Sequence, residues 1–286
     1  MRFVKLEGIG NDFVCVDCFQ QPAPPDPSRL AVAVCRRRFG IGADGLILML
    51  PADGADARMQ IFNADGSEAE MCGNGIRCVA KYLYERGIVS QERMRILTGR
   101  GVLEITVRPD RLGRVDRVRV EMGTPVFEPV EIPTTLPGTP PLNVPLSVAE
   151  QPFRVHVVSM GNPHCVVFVD EPVEEVAVER YGPLLERAAV FPKRTNVEFV
   201  QVCSEERLKV RVWERGCGET LACGTGACAV AVVAQLTGRA GRQVQVELPG
   251  GRLELEWNGA GPVYMTGPAR EVYEGEFDPE TLLLRA

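Results

Sequence analysis

The apolar positions of the chain alternate with polar ones in some stretches and run together in others. Val102–Val107 and Val115–Val120 alternate, as half-buried strands do. Leu46–Leu50, Met59–Phe62, Val155–Val158, Cys165–Val169, Val197–Val202, Leu208–Trp213, Val244–Leu248, Leu253–Trp257 and Val263–Met265 also read as strands. Asp26-Pro27 ahead of Leu30–Val34 is an N-cap with proline at the first helical position, and Gly40 is expected to end that helix. Gly75–Arg86 reads as a helix closed by Gly87, and Gly226–Thr237 as one closed by Gly238. The second of these has no polar face. A helix apolar all round must be surrounded, and a sheet wrapped around it is the expected solution. The first carries Arg77, Lys81 and Glu85 four apart, a stripe that predicts looser burial or a solvated edge.

A repeat organises these elements. Gly10-Asn11-Asp12-Phe13 and Gly161-Asn162-Pro163-His164 each open an apolar run, and Asn11 and Asn162 lie 151 positions apart. Cys72-Gly73-Asn74-Gly75 and Cys223-Gly224-Thr225-Gly226 keep the same offset of 151. So do Ile61-Phe62-Asn63 with Val212-Trp213-Glu214, and Gly45 with Asn196. Two landmarks at one offset imply two halves of one plan. We therefore expect two α+β domains related by pseudosymmetry, each a mostly antiparallel sheet around a central helix, with an active site in the cleft between them. The first spans residues 1–121 with a C-terminal return at about 268–286 and carries Cys72; the second spans 122–267 and carries Cys223. The proline-rich segment Thr124–Pro152 is read as the crossover between them.

The 286 residues are 45% hydrophobic and 24% charged, ordinary for a globular protein. A formal net charge of −6 argues against nucleic acid as a partner, which needs a basic surface. The start lacks the long apolar stretch of a secretory signal, and the longest apolar run, near Ala227–Leu236, is too short to span a bilayer, so neither membrane insertion nor export is expected. A cytoplasmic location follows as the default. The ten cysteines then argue against a disulfide framework. Cys15-x-x-Cys18 has metal-ligand spacing but no second such pair, and there are only two histidines, so no structural zinc is expected. Most cysteines, Cys217 among them, are read as structural, and Asp12 and Asp65 as turn residues.

Chemistry concentrates at the twin Cys-Gly-x-Gly turns. Unpaired N–H groups and the positive end of the helix dipole gather at a helix start, where they lower a thiol's pKa and can hold a carboxylate. Two such turns related by symmetry could face each other across one small ligand. Inverting a stereocentre needs that arrangement: one group removes a proton from one face while the other adds a proton to the opposite face. The rival readings are a proline-type racemase, which also uses two cysteines, and a redox or metal-binding protein using the paired thiols.

The motifs Gly8-Ile9-Gly10-Asn11-Asp12-Phe13, Phe62-Asn63-Ala64-Asp65-Gly66-Ser67, Met71-Cys72-Gly73-Asn74-Gly75-Ile76-Arg77-Cys78, Gly161-Asn162-Pro163-His164, Trp213-Glu214-Arg215-Gly216 and Ala222-Cys223-Gly224-Thr225-Gly226 resemble those of the diaminopimelate epimerase family. The resemblance runs from about residue 3 to residue 276. It implies interconversion of LL- and meso-2,6-diaminopimelate, in lysine synthesis, with neither pyridoxal phosphate nor a metal, by a cytoplasmic homodimer. It places Cys72 and Cys223 as the acid–base thiols, flanked by His164 and Glu214. It assigns Gly73, Asn74, Gly224 and Thr225 to the reacting carboxylate, and Asn11, Asn63, Asn162, Asn196, Glu214 and Arg215 to further substrate contacts. Arg215 would hold the distal carboxylate and Glu214 the distal ammonium. One departure stands out: Gly45 occupies a position where many members carry glutamine, so no side chain can donate there.

Overall fold

The computed structural model describes residues 1–283; positions 284–286, the end of the expected C-terminal return, lie outside the described residues. The chain divides into two compact units, one of Met1–Val120 with the residues from Gly267 onward, the other of Glu121–Thr266.

In the first unit, β1 (Arg2–Gly8) and β2 (Asn11–Asp17) form a hairpin, α1 (Pro27–Cys35) leads into β3 (Gly45–Leu50), and β4 (Ala57–Asn63) returns antiparallel to it. The short β5 (Glu68–Ala69) pairs with β4 and precedes α2 (Gly73–Glu85), after which β6 (Arg93–Thr98), β7 (Gly101–Pro109) and β8 (Val115–Gly123) close the sheet. In the second unit, β9 (Val144–Val148), β10 (Gln151–Ser159) and β11 (Pro163–Val169) form an antiparallel meander. A 3₁₀ turn (Val173–Glu175) and α3 (Val178–Glu186) follow, then β12 (Asn196–Ser204), β13 (Arg207–Glu214), the short β14 (Gly218–Thr220) and α4 (Gly224–Leu236). β15 (Gln243–Leu248), β16 (Gly251–Glu256) and β17 (Val263–Pro268) complete that unit, and the chain ends in the first unit with β18 (Arg270–Glu276), paired with β1, and α5 (Pro279–Leu283).

The repeat is visible in the strand register. Phe13 lies opposite Gly45 across β2 and β3, and His164 lies opposite Asn196 across β11 and β12. Ile61 pairs with Ala69 as Val212 pairs with Thr220. Each of these positions is 151 from its twin. α1 and α3 also match, although neither motif nor apolar pattern revealed α3. Both sheets are mostly antiparallel with parallel joints in the same places, β2–β3 and β4–β6 in one, β11–β12 and β13–β15 in the other. After the central helices the offset drops to 150, as Thr98 opposite Gly101 and Leu248 opposite Gly251 show. The insertion therefore falls beyond the helix, away from the motifs.

The cores explain the runs of apolar residues. β2 and β3 are buried along nearly their whole length because both faces are covered. Val14, Val16, Leu46 and Leu48 pack with Leu30, Ala31 and Val34 of α1, while Ile47 meets α2 on the other face. In the second unit α3 covers the equivalent outer face through Val178 and Leu185, and α4 lies against β10, β11, β12, β15 and β16. α4 is buried from Gly226 to Ala234, as its apolar sequence demands.

Several expectations are corrected. Arg77 is not on a solvated edge: it is fully buried, donating to Gly73 O at 3.0 Å, Asn74 Oδ1 at 2.8 Å and Pro268 O at 3.1 Å. A guanidinium with backbone and amide acceptors on several sides can be satisfied inside a core, which helical spacing alone does not reveal. α1 stops at Cys35 rather than at Gly40, because Arg36 turns extended with φ −62° and ψ 107°. Asp12 belongs to β2, ion-paired with Lys5 at 2.7 Å and Arg37 at 2.9 Å, and is not a turn residue. The segment read as a crossover lies in the second unit and contributes β9 to its sheet.

Candidate active site

Both central helices begin two residues earlier than predicted, at Gly73 and Gly224, so that Cys72 and Cys223 are their N-cap residues. Their backbones match, φ −137° and ψ 118° for Cys72 against φ −130° and ψ 109° for Cys223. Each therefore sits where the free N–H groups of the first turn point. The Gly75 amide donates to Cys72 Sγ at 3.4 Å, and at Cys223 the Gly226 amide pulls the thiol's pKa down. Gly10 and Gly161, at φ 84° and 95°, make the left-handed turns that deliver the two asparagine motifs to these caps.

In the first unit the motif residues form one cluster. Asn11 Oδ1 accepts from Asn74 Nδ2 at 3.2 Å and from Cys72 Sγ at 3.6 Å. Its amide nitrogen is fixed by Asp44 Oδ2 at 2.7 Å, and Asn74 is fixed in turn by Arg77. Asp44 and Arg77 are supports that the motif reading did not assign. Asn63, at the exposed end of β4, donates to Ser67 Oγ at 3.0 Å in its own turn. Gly45 lies in β3 opposite Asn63, and a Cβ there would come within 2.8 Å of Phe62 O, so this backbone has no room for the glutamine that the family resemblance implied.

The second cluster is built on the same positions with different chemistry. Asn162 Nδ2 donates to Thr225 Oγ1 at 3.3 Å, and Thr225 Oγ1 lies 3.6 Å from Cys223 Sγ. Asn162 Oδ1 is 3.0 Å from His164 Nε2, and His164 Nδ1 is 2.7 Å from Glu198 Oε1. Glu198 was not singled out from the sequence, although a glutamate inside the apolar run Val197–Val202 is its signal. Its twin position is Ile47, and that of His164 is Phe13. Glu214, at the end of β13, accepts from Thr220 Oγ1 at 2.5 Å and lies near enough to Cys223 for each to shift the other's pKa. Asn196 Oδ1 accepts from the Arg215 amide at 2.9 Å and its Nδ2 donates to Pro163 O at 3.0 Å, which ties the Arg215 turn to the Asn162 loop. The Arg215 guanidinium is exposed and donates to Lys193 O at 3.2 Å.

The electrostatics of the second thiol reverse the simple helix-start expectation. Burial pushes the Cys223 thiol well up, and the carboxylates of Glu214 and Glu198 push it further, against the pull of the Gly226 amide and Thr225. Removal from water costs a thiolate more than one helix terminus returns. Burial likewise raises Glu214 above its ordinary value, only partly offset by Thr220, Cys223 and His164. Among the described residues no group of three or more His, Cys, Asp or Glu side chains is placed to hold a metal ion, and no helix is long and apolar enough to cross a membrane.

Solved structures share the fold. A probable proline racemase from Agrobacterium radiobacter superposes with a TM-score of 0.72 at 17% identity, over 97% of this chain and 92% of that one. A phenazine biosynthesis protein of the PhzF family from Bacillus anthracis does so with a TM-score of 0.70 at 17% identity, over 97% and 99%. The chain thus shares the architecture of these two structures, a likeness of fold. Within it, the diaminopimelate epimerase family model matches residues 3–128 and 156–272, and the chain belongs to that family. The diaminopimelate epimerase of Pelotomaculum thermopropionicum is 53% identical over 98% of this chain and 100% of its own length. That of Desulforudis audaxviator is 54% identical over 97% and 99%.

Proposed function

We propose that this isomerase interconverts LL- and meso-2,6-diaminopimelate, using Cys72 and Cys223 as a pair of acid–base thiols and no cofactor. The observation that carries the reading is the occurrence of both cysteines as N-caps of register-matched helices, each tied to an asparagine of the matching Gly-Asn motif or to its partner. Membership of the family supplies the substrate.

The chemistry follows from those caps. The proton on the carbon beside an amino-acid carboxylate is only weakly acidic, and removing it places negative charge on that carboxylate. The first-turn amides at Gly73-Asn74 and Gly224-Thr225 are preorganised donors for that charge. A thiolate takes the proton from one face of the carbon; the other thiol delivers its own proton to the opposite face. The configuration inverts, and the two sulfurs exchange protonation states. In one direction one sulfur begins as the thiolate base and the other as the thiol acid. The reverse reaction exchanges the roles.

The substrate carries two carboxylates and two ammonium groups. Arg215 offers a carboxylate two aligned N–H donors, and Glu214 an ammonium a carboxylate partner. Asn11, Asn63, Asn162 and Asn196 offer donors and acceptors without added charge. His164 and Glu214 flank the thiols. The place of the reaction is lysine synthesis in the cytoplasm, and the working form is a homodimer.

Cys72→Ser and Cys223→Ser test this directly. Each is expected to abolish epimerisation of LL-diaminopimelate, followed by chiral chromatography, while the variants melt like the parent. Undiminished turnover in either variant would refute the two-thiol reading. Light scattering of the purified protein tests the dimer.

A further inference from the structure

The second unit holds a buried acid that the reaction as derived does not use. Glu198 is fully buried in β12, and a lone carboxylate is costly to remove from water. Its Oε1 contacts His164 Nδ1 at 2.7 Å; its Oε2 has no hydrogen-bond partner among the described residues. The carboxylate also lies on the first turn of α4, where a Cβ on Gly226 would come within 2.8 Å of Oε1. Twin positions in the first unit, Phe13 and Ile47, are apolar, so the fold itself does not require a polar pair there.

The direction of the bonds beyond His164 is set by Asn162. Its nitrogen donates to Thr225 Oγ1, which leaves its oxygen facing His164 Nε2. An amide oxygen can only accept, so Nε2 carries the proton. Thr225 Oγ1 accepts from Asn162 and still holds its own hydroxyl proton, which is free to be donated to the Cys223 sulfur at 3.6 Å. The donors at His164 Nε2, Asn162 Nδ2 and Thr225 Oγ1 then run toward that sulfur. The series holds only while the imidazole keeps its orientation, and among the described residues the side chain hydrogen-bonded to its far nitrogen is Glu198.

We propose that Glu198 is a positioning residue for Cys223: it pins the His164 ring so that His164, Asn162 and Thr225 form a hydrogen-bond relay directed at the sulfur. The inference rests on the reading of Cys223 as an acid–base thiol. It gives the two thiols unequal surroundings although their backbones match, since the first unit has Phe13 and Ile47 at the positions of His164 and Glu198. It also accounts for Gly226, the residue whose missing side chain makes room for the carboxylate.

The test uses Glu198→Ile, which installs the residue of the twin position, and Glu198→Gln, which keeps a hydrogen-bonding group at Nδ1. Glu198→Ile is expected to lower kcat by about 10- to 100-fold, the usual loss when such a support is removed, with KM changing much less. Glu198→Gln is expected to recover most of the rate. With only two histidines in the chain, the His164 ring protons can be assigned by nitrogen-15 NMR against His164→Phe. A protected Nε2 proton, held by Asn162, is expected in the parent and in Glu198→Gln, and its loss to exchange in Glu198→Ile. Parental kcat in Glu198→Ile, or equal impairment in both variants with the Nε2 resonance unchanged, overturns the proposal. Should Glu198→Ile fail to fold, Glu198→Asp decides, because it keeps the charge but falls a methylene short of Nδ1: a lowered kcat supports the relay and a parental kcat overturns it. An active Cys223→Ser would instead sink the two-thiol reading itself, whatever the Glu198 variants do.

Discussion

Adding one methyl group at Gly226 separates helix propensity from site geometry. Gly226 and Gly75 occupy equivalent places in the first turns of α4 and α2, and alanine at either would gain at most about 1 kcal/mol of helix propensity. Their surroundings differ. At Gly226 the new Cβ would lie 2.8 Å from Glu198 Oε1 and 3.3 Å from Cys223 Sγ. At Gly75 it would lie 2.9 Å from Ile47 Cδ1 and 3.5 Å from Cys72 Cβ. Overpacking of this kind typically costs about 1–3 kcal/mol. Ile47 can relieve it by moving the end of an apolar chain, so Gly75→Ala is expected to come out about 0–2 kcal/mol less stable than the parent. Glu198 can relieve it only by leaving His164, which forfeits a further charged hydrogen bond of about 1.5–3 kcal/mol. Gly226→Ala should therefore be destabilised by about 2–4 kcal/mol and melt several degrees lower, since about 2–4 °C accompanies each kcal/mol in domains of this size. Thermal melts by circular dichroism at fixed scan rate, with kcat measured on the same preparations, compare the two variants. A Gly226→Ala protein as stable as Gly75→Ala would refute the claim that the glycine exists to admit the Glu198 carboxylate.

Further outcomes follow from the same geometry. Glu214→Gln should stabilise the protein at neutral pH while abolishing or greatly slowing turnover. Its raised pKa means that the folded protein holds a proton the unfolded chain releases, so the cost of Glu214 grows as pH rises above its ordinary value of 4.5; the gain in melting temperature should vanish below that pH. Alkylation of Cys223 by iodoacetamide, counted by peptide mass spectrometry, should be slow at neutral pH and quicken in alkali. In Glu214→Gln the profile should move to lower pH, because a carboxylate that pushes the thiol up has gone; an unmoved profile would contradict that cause. Arg77→Met should lower stability by about 3 kcal/mol, from loss of hydrogen bonds to a buried charged donor, and should slow turnover because Asn74 loses its anchor; denaturant titration that finds no change would contradict the burial of this side chain. Gly45→Gln should destabilise the first unit rather than improve KM, since the added Cβ meets the Phe62 carbonyl.

Much of this was legible in the sequence because the repeat is written twice. The constant spacing of Asn11 and Asn162, and of Cys72 and Cys223, located the caps, and the same spacing is the strand register that brings each asparagine to its helix start. The all-apolar face of α4 announced its burial. What remained hidden depended on contacts between segments far apart in the chain. The polar stripe on α2 suggested solvent because the carbonyls that receive Arg77 come partly from Pro268, which no local pattern connects to it. α3 is short and contains Pro183, so the helical spacing of Val178, Tyr181 and Leu185 does not by itself read as a helix, yet tertiary cover from the sheet holds it as one. Glu198 looked like one polar residue in a strand until His164 was found beside it. The expectation of a lowered thiol pKa counted the helix terminus and omitted burial, which dominates at Cys223.

The account stands on two thiols acting from opposite faces of one carbon. The most direct measurement is early turnover of LL-diaminopimelate in deuterium oxide, with label located by NMR and mass spectrometry. The two-thiol account predicts that the first meso product carries solvent deuterium at the inverted carbon while unreacted LL substrate remains largely unlabelled. Product that keeps its original protium would show a single group returning the proton it removed, and would contradict the account.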